Sequence, residues 1–407
     1  MFKGKKYVIR MYFPRNAWVL AVTSMLWSFG SALANPFQSV FFYGLGAPVF
    51  YIGVIAATSS LISAVMLIAG GYIADVWGRK KVIVIFSIIS AVSAFLYVFI
   101  DKWPFLFLPV IINAITAVYT PAFNATLNDS MDAWMRPLGF ASYTVLTTIP
   151  SIFSPFVGGM LIQSFGSVYG LKIAFLISGA FGVVACLYRA AKLEETFKAE
   201  KEIPKMNLFG IIKNALSEYS VAIKRSSSDA KKLLLYTVFA GIGTSLSTLY
   251  VSLYLINSSK VTPEEYGFLI GISSIATIML LLPTVGLIKR AGLKKAAVLS
   301  ALTSPITMLT FVSSNGINDL MAWSTTSGVS GAMITPTISS LQGNVSKKEE
   351  RGKLMALFSI TPLVVAAPMQ LVSGWLYANT PHLTTFVLAI PFYLMAIFVL
   401  LSINSDS

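Results

Sequence analysis

The chain alternates long apolar runs with short polar breaks. A helix that crosses a bilayer needs about 20 mostly apolar residues. Twelve runs meet that criterion, at residues 17–43, 49–75, 80–100, 104–127, 138–164, 169–189, 232–257, 265–289, 295–313, 317–341, 353–379 and 383–403. Inside lipid each backbone polar group must be satisfied within its own segment, so every run is predicted to be a helix. What lies between them is too short for a large soluble domain. The predicted fold class is therefore an all-α membrane protein.

One long polar break divides the runs six and six, which predicts three regions: an N-terminal bundle at 1–189, a linker at 190–231 and a C-terminal bundle at 232–407. Within the linker, Leu208, Ile211, Ile212, Ala215, Leu216, Tyr219 and Ile223 recur at helical spacing. That pattern predicts an amphipathic helix lying at the membrane surface. An offset of 215 takes Gly71 to Gly286, Arg79 to Lys294, Lys80 to Lys295, Pro121 to Pro336 and Arg136 to Arg351. A repeat of this kind predicts two six-helix bundles related by an axis along the membrane normal, with a substrate route between them. The same offset pairs Asp75 with Arg290, so this acid is not duplicated.

Composition narrows the function. The 407 residues are 56% hydrophobic and 11% charged, against about 25% charged in soluble domains. The net charge of +14 is spread over the breaks rather than gathered on one face, which argues against a nucleic-acid partner. With a cytoplasmic N-terminus, Lys102, Lys172 and Lys260 fall outside and the other 27 of 30 Lys and Arg fall inside. Twelve crossings then put both termini in the cytoplasm, and the expected location is the plasma membrane. The apolar stretch after the basic segment Met1 to Arg15 is too long for a signal peptide, and Asn35-Pro36 reads as a kink in the first span. A single cysteine, Cys186, and a single histidine, His382, exclude a disulfide framework and a thiolate metal cluster, and no cofactor is expected. No phosphate-binding G-x4-G-K-[ST], HExxH or nucleophile–base pair is present, so the chain does not read as an enzyme.

The break at residues 70–81, GGYIADVWGRKK, is the most specific stretch. An acid at the C-terminal end of a helix, where Asp75 must lie, opposes the helix dipole unless a cation answers it, and Arg79 and Lys80 follow closely. The spacing Gly71, Asp75, Gly78, Arg79, Lys80 resembles the loop between helices 2 and 3 of the major facilitator superfamily, G-x-L-A-D-R-x-G-R-K, with Val76 in place of the first Arg. The resemblance implies that Arg79 meets Asp129 at the end of the fourth span, and that Asp75 faces the start of the eleventh, near Arg351 and Lys353. Such contacts would latch the two halves on the cytoplasmic side. Asp132 and Arg136, four apart, are placed to pair on one helical face. In the fifth span Pro150, Ser154, Pro155, Gly158 and Gly159 resemble the family's antiporter motif G-x3-G-P-x2-G-G, with Pro150 and Ser154 replacing glycines.

Polar residues within spans tend to face a cavity rather than lipid. The candidates are Trp27, Asn35, Gln38, Asn113, Tyr119, Asn124, Tyr143 and Thr147 in the first half, and Tyr250, Tyr254, Trp323 and Gln370 in the second. All are uncharged, which suits a neutral or amphipathic small-molecule substrate. No acid lies in the middle of a span, so proton coupling would have to use Asp129 or Asp132 at a deeper position, or the carrier exchanges without it. The expectation is a monomeric twelve-span secondary transporter that exports amphipathic, drug-like compounds. Its rivals are an uptake or facilitated carrier for a sugar-like neutral metabolite, and a membrane sensor that transports nothing.

Overall fold

A computed structural model describes residues 14–132, 136–196, 208–257, 261–346 and 350–404. Residues 1–13, Lys260 and the linker segment 197–207, which entered the charge and linker expectations, lie outside it. The first half comprises α1 (Arg15–Gly44), α2 (Val49–Trp77), α3 (Arg79–Phe99), α4 (Trp103–Asp129), α5 (Arg136–Thr148, continuing as Pro150–Phe165) and α6 (Ser167–Lys192). The linker holds α7 (Leu208–Arg225). The second half comprises α8 (Ser228–Asn257), α9 (Pro263–Ala291), α10 (Leu293–Val312), α11 (Ile317–Val345), α12 (Arg351–Asn379) and α13 (Leu383–Leu401).

Eleven of these are long and apolar enough to cross a membrane. The twelfth expected span, α11, has 29 residues, about 44 Å at 1.5 Å per residue. It falls short only in apolar character, because Ser, Thr, Asn and Gln recur along it. Packed against α9, α10 and α12, it keeps much of that polarity inside the protein, and Ser324 and Thr337 are fully buried. The kink expected at Asn35-Pro36 is a short 3-10 stretch, Asn35–Phe37, within α1.

The internal repeat is visible in hydrogen bonds. Arg136 Nε donates to the Asn128 carbonyl at 3.1 Å, and Arg351 Nη2 donates to the Gly343 carbonyl at 2.8 Å, each reaching back eight residues. The offset is not constant, however. Gly78 and Gly292 close α2 and α9 with φ of 87° and 81°, a conformation that a Cβ disfavours, and they are 214 apart. Helices α2 and α9 themselves start 214 apart, so the repeat shifts by one residue before the 215 spacing of Arg136 and Arg351. In this register Asp75 lies opposite Lys289 and Gly71 opposite Val285, correcting the pairings with Arg290 and Gly286.

Two seams join the halves, and both are built by glycines on backbone. At the α5–α9 seam a Cβ on Gly159 would strike the Pro263 carbonyl at 2.3 Å, and one on Gly267 the Pro155 carbonyl at 2.2 Å. At the α2–α12 seam Gly53 stands 2.5 Å from the Gln370 carbonyl by the same measure, and Gly374 packs on Phe50 and Gly53. The repeat maps one seam onto the other, Pro155 to Gln370 and Gly159 to Gly374.

The seams close on one side only. On the side away from α7, one apolar cluster draws on both halves, including Phe37, Phe41 and Tyr97 with Tyr250, Tyr266 and Phe386. On the α7 side there are instead two separate clusters. One, around Leu20, Ala74 and Leu127, belongs to the first half, and the other, around Leu233, Leu341 and Leu400, to the second. Helix α2 shows the splay directly. Gly71 lies 18 residues, five full turns, beyond Gly53 and so on the same face, yet a Cβ there would meet nothing within 4 Å.

This difference predicts opposite effects for one substitution at two motif glycines. Gly159→Ala is expected to cost about 1–3 kcal/mol, because backbone cannot retract from the new methyl. Gly71→Ala is expected to gain about 0.5–1 kcal/mol from helix propensity. Thermal unfolding of purified protein in detergent reads both, as a lower Tm for the first and an equal or higher Tm for the second.

Candidate functional site

Three groups of residues stand along the interior, beginning with an ionic layer at the α7 side. Arg79 Nη1 bonds Asp129 Oδ2 at 2.5 Å, linking the start of α3 to the end of α4. Lys80 contributes its backbone: its N–H, with that of Arg79, donates to the Glu195 carboxylate at 3.0 and 3.2 Å. Glu195 thus sits at the positive end of the α3 dipole, where an anion is stabilised. Its neighbour Glu194 pairs with Arg15 and exchanges two backbone–amide bonds with Asn16, at 2.9 and 3.1 Å. The first residues after α6 therefore strap α1 to the Gly78 turn. The paired glutamates after a basic helix end were the sequence signal for this strap, and sequence reasoning passed over them.

Among the described residues, Arg136 bonds the carbonyls of Asn128 and Met131, not the Asp132 side chain, because α4 ends at Asp129 and the i, i+4 rule needs continuous helix. Arg351 bonds the Gly343 carbonyl, and Lys353 pairs with Glu218 of α7 at 3.4 Å. A second pair, Arg225–Glu350 at 4.0 Å, also ties α7 to the second half, while the helix packs on both α2 and α12. Ile211, Ala215, Tyr219 and Ala222 face the bundle, whereas Leu216 and Ile223 of the expected apolar face are exposed, as is Phe209 beside it. Burial pushes the Tyr219 phenol pKa up, and the adjacent Glu218 adds to the shift.

The α5 motif is packing machinery. Pro150 opens the second piece of the helix, Gly158 lies on the Leu33 carbonyl of α1, and Gly159 lies on α9. Ser154 is fully buried, and its Oγ finds no hydrogen-bond partner among the described residues.

Two cavities carry most of the polar candidates. A central one of about 350 Å³ lies beneath the sealed side, between the halves. Asn35, Gln38 and Gln370 line it, together with Ser39, Ser60, Ser252 and Tyr266, which were not anticipated. Ser60 Oγ donates to Gln370 Oε1 at 2.9 Å, and the Ser39 and Ser252 hydroxyls meet at 2.8 Å, so its roof is itself an inter-half contact. The second cavity, about 270 Å³, opens within the first half and is lined by Trp27, Tyr119, Asn124 and Tyr143.

Five candidates line neither. Tyr250 is fully buried, donates to the Val49 carbonyl at 3.0 Å and belongs to the seal. Tyr254 and Trp323 pack on Phe311, and Asn113 accepts from Ser90 Oγ at 2.8 Å between α4 and α3. Thr147 returns its hydroxyl to its own helix. Aromatic rings serve packing as readily as solute contact, so ring type alone did not discriminate.

The most consequential correction concerns charge. Arg189 lies on the wall of the second cavity and is 2% exposed. The interior is therefore not free of fixed charge. By sequence position Arg189 is simply one of the 27 cations expected on the cytoplasmic side. The signal was its position on the buried stripe Gly182, Ala185, Cys186, Arg189, spaced three and four apart.

The family model for the Major Facilitator Superfamily matches residues 20–227 and 233–406, one segment for each bundle. The chain belongs to the major facilitator superfamily. It is 25% identical over 277 residues to the uncharacterized MFS-type transporter MJ1560 of Methanocaldococcus jannaschii, covering 65% of this chain and 66% of that one. It is 25% identical over 191 residues to the multi-drug resistance efflux pump PmrA of Streptococcus pneumoniae, covering 45% and 46%. The chain thus spans less than two thirds of the length of these curated relatives. A solved structure of the nucleoside transporter NupG superposes with a TM-score of 0.77 at 16% identity, covering 96% of this chain and all of that one, which establishes the shared fold.

Glu195→Ala should release the α3 start, raising amide hydrogen exchange at Arg79 and Lys80 and costing about 1 kcal/mol, as for a lost helix cap. Glu195→Gln, which keeps an acceptor, should lose less. Hydrogen-exchange mass spectrometry on purified protein measures both.

Proposed function

We propose that the protein is a secondary transporter that exports amphipathic organic compounds across the plasma membrane by alternating access between its two bundles, 1–189 and 232–407, joined by the linker 190–231. The observation that carries the reading is the one-sided closure, with α2 locked to α12 at Gly53 and free at Gly71 on the same face. An inter-half cavity sealed on one side and halves parted on the other is the arrangement of a carrier caught facing one way. Lys102 and Lys172 are the described cations on the sealed side, and the rest gather at the α7 side, so the positive-inside rule makes the α7 side cytoplasmic. Both termini are then cytoplasmic, and the state is inward-facing. Export is favoured by the similarity to a multidrug pump and by the α5 motif.

In this proposal Gly71, Asp75, Gly78, Arg79, Lys80, Asp129, Arg136 and Arg351 form the cytoplasmic gate. Asp75 faces the start of α12 as the halves close, and Arg79–Asp129 holds the turn that carries Asp75. No described carboxylate sits at mid-span: Asp75 and Asp129 lie at helix ends, and Glu265 closes a capping box with Thr262. Exchange without a buried proton carrier fits that placement, and nothing in it requires more than a monomer. A second reading, uptake of a neutral hydroxylated solute, is favoured by the amide and hydroxyl lining of the central cavity.

Asp75→Asn is expected to enrich the inward-facing population. Spin labels on α2 and α12 at the α7 side should then report longer distances than in the parent protein, and unchanged distances would remove Asp75 from the gate. Flux in oriented proteoliposomes assigns direction: substrate-dependent movement away from the α7 side supports export, and movement toward it supports the second reading.

A further inference from the structure

The guanidinium of Arg189 is held by neutral groups alone. Its Nε donates to Thr23 Oγ1 at 2.9 Å, Nη1 to Ser87 Oγ at 2.7 Å and Nη2 to Ser24 Oγ at 3.3 Å, and its carbon lies 5.4 Å from the centre of the Phe123 ring. No carboxylate among the described residues pairs with it. The three hydroxyls occupy three of its five N–H groups. Tyr119 is the one further hydrogen-bonding partner beside it, so donor capacity remains on the cavity wall.

Its depth makes this arrangement costly. Helical side chains tilt toward the N-terminus of their helix, so Arg189, in the last turn of α6, points back into the bundle. Ser24 and Ser87 lie nine and eight residues inside α1 and α3, about 12–13 Å from the helix ends. A cation at such depth is expensive unless an anion answers it, and an intramembrane charge is by default a functional group. Thr23, Ser24 and Ser87 hold the fork from three sides while leaving its charge uncompensated. That is the construction of an anion receptor rather than of an internal ion pair.

Building on the export reading, we propose that Arg189 and the cavity bounded by Trp27, Tyr119, Asn124 and Tyr143 form a recognition site for the acidic group, carboxylate or phosphate, of an amphipathic organic anion. The guanidinium fork takes two acid oxygens, and Trp27 and the tyrosines take the apolar body. The same chemistry accepts a soluble solute or an acidic lipid headgroup.

The test uses the full chain in phosphatidylcholine nanodiscs and three matched probes: 2-naphthoate, neutral 2-naphthamide and cationic 2-naphthylmethylamine. Thermal-shift titration should show 2-naphthoate binding at least about tenfold more tightly than the amide, the scale of one charge-assisted hydrogen bond. Arg189→Gln should abolish the preference, and Arg189→Lys should keep part of it. Equal binding of anion and amide to the parent protein, or a preference that survives Arg189→Gln, overturns the proposal. If Arg189→Gln does not fold, Asn124→Asp places a near-isosteric acid on the same wall. It should answer the Arg189 charge and remove the preference for the anion, and an unchanged preference overturns the site.

Adding phosphatidylglycerol separates the ligand sources. Competition with 2-naphthoate that requires Arg189 assigns the site to a lipid headgroup, and its absence assigns the site to a soluble anion. Proteoliposome flux keeps this proposal apart from the transport reading. Arg189-dependent binding without flux leaves the site standing and removes export. Flux without charge preference leaves export standing and removes the site.

Discussion

Close approach of backbone to backbone at two glycine-lined seams is the constraint on which the rest of the structure depends. Helices in lipid gain little from burying apolar side chains against one another, since the tails are equally apolar, so association rests on packing and polar contacts at short range. Gly159 against Pro263, and Gly53 against Gln370, provide that range where a single methyl would not fit. Because each seam pairs one helix from each half, the two bundles are held at two lines rather than over a broad face.

The end of both lines away from α7 is thickened by aromatic packing, with Tyr250 bonded across to Val49 and Phe37 set edge-on to Tyr266 at 5.4 Å. On the α7 side each half packs its own apolar cluster, and the described ion pairs there lie within one half or run to the linker helix. Exposed pairs such as Lys353–Glu218 are worth about 1 kcal/mol or less each. This side is therefore the cheaper one to open and close. The strap from α6 to the Gly78 turn has a different role, since it keeps the turn shaped whichever way the halves lean.

The two cavities divide the chemistry. The central one offers amides and hydroxyls shared by both halves, and its roof bonds must break for it to open on the sealed side. The other belongs to the first half and carries the only fully buried charge among the described residues.

The sequence by itself determined the solvent and the plan. Apolar runs of spanning length and the one long break could produce nothing but bundled helices in lipid, and the motif at 70–81 carried the family. The Arg79–Asp129 pair was legible only through the resemblance that this motif carries, since the two residues stand 50 apart in sequence. Tertiary structure decided what spacing does not encode. It shifted the repeat by one residue at Gly78 and Gly292, turned Arg136 onto carbonyls once the helix ended at Asp129, and set Tyr250, Tyr254 and Trp323 into packing rather than the cavities. Above all it turned Arg189 inward, because whether a cation at a helix end meets water or a cavity depends on which neighbours surround that helix, and no single span contains that information.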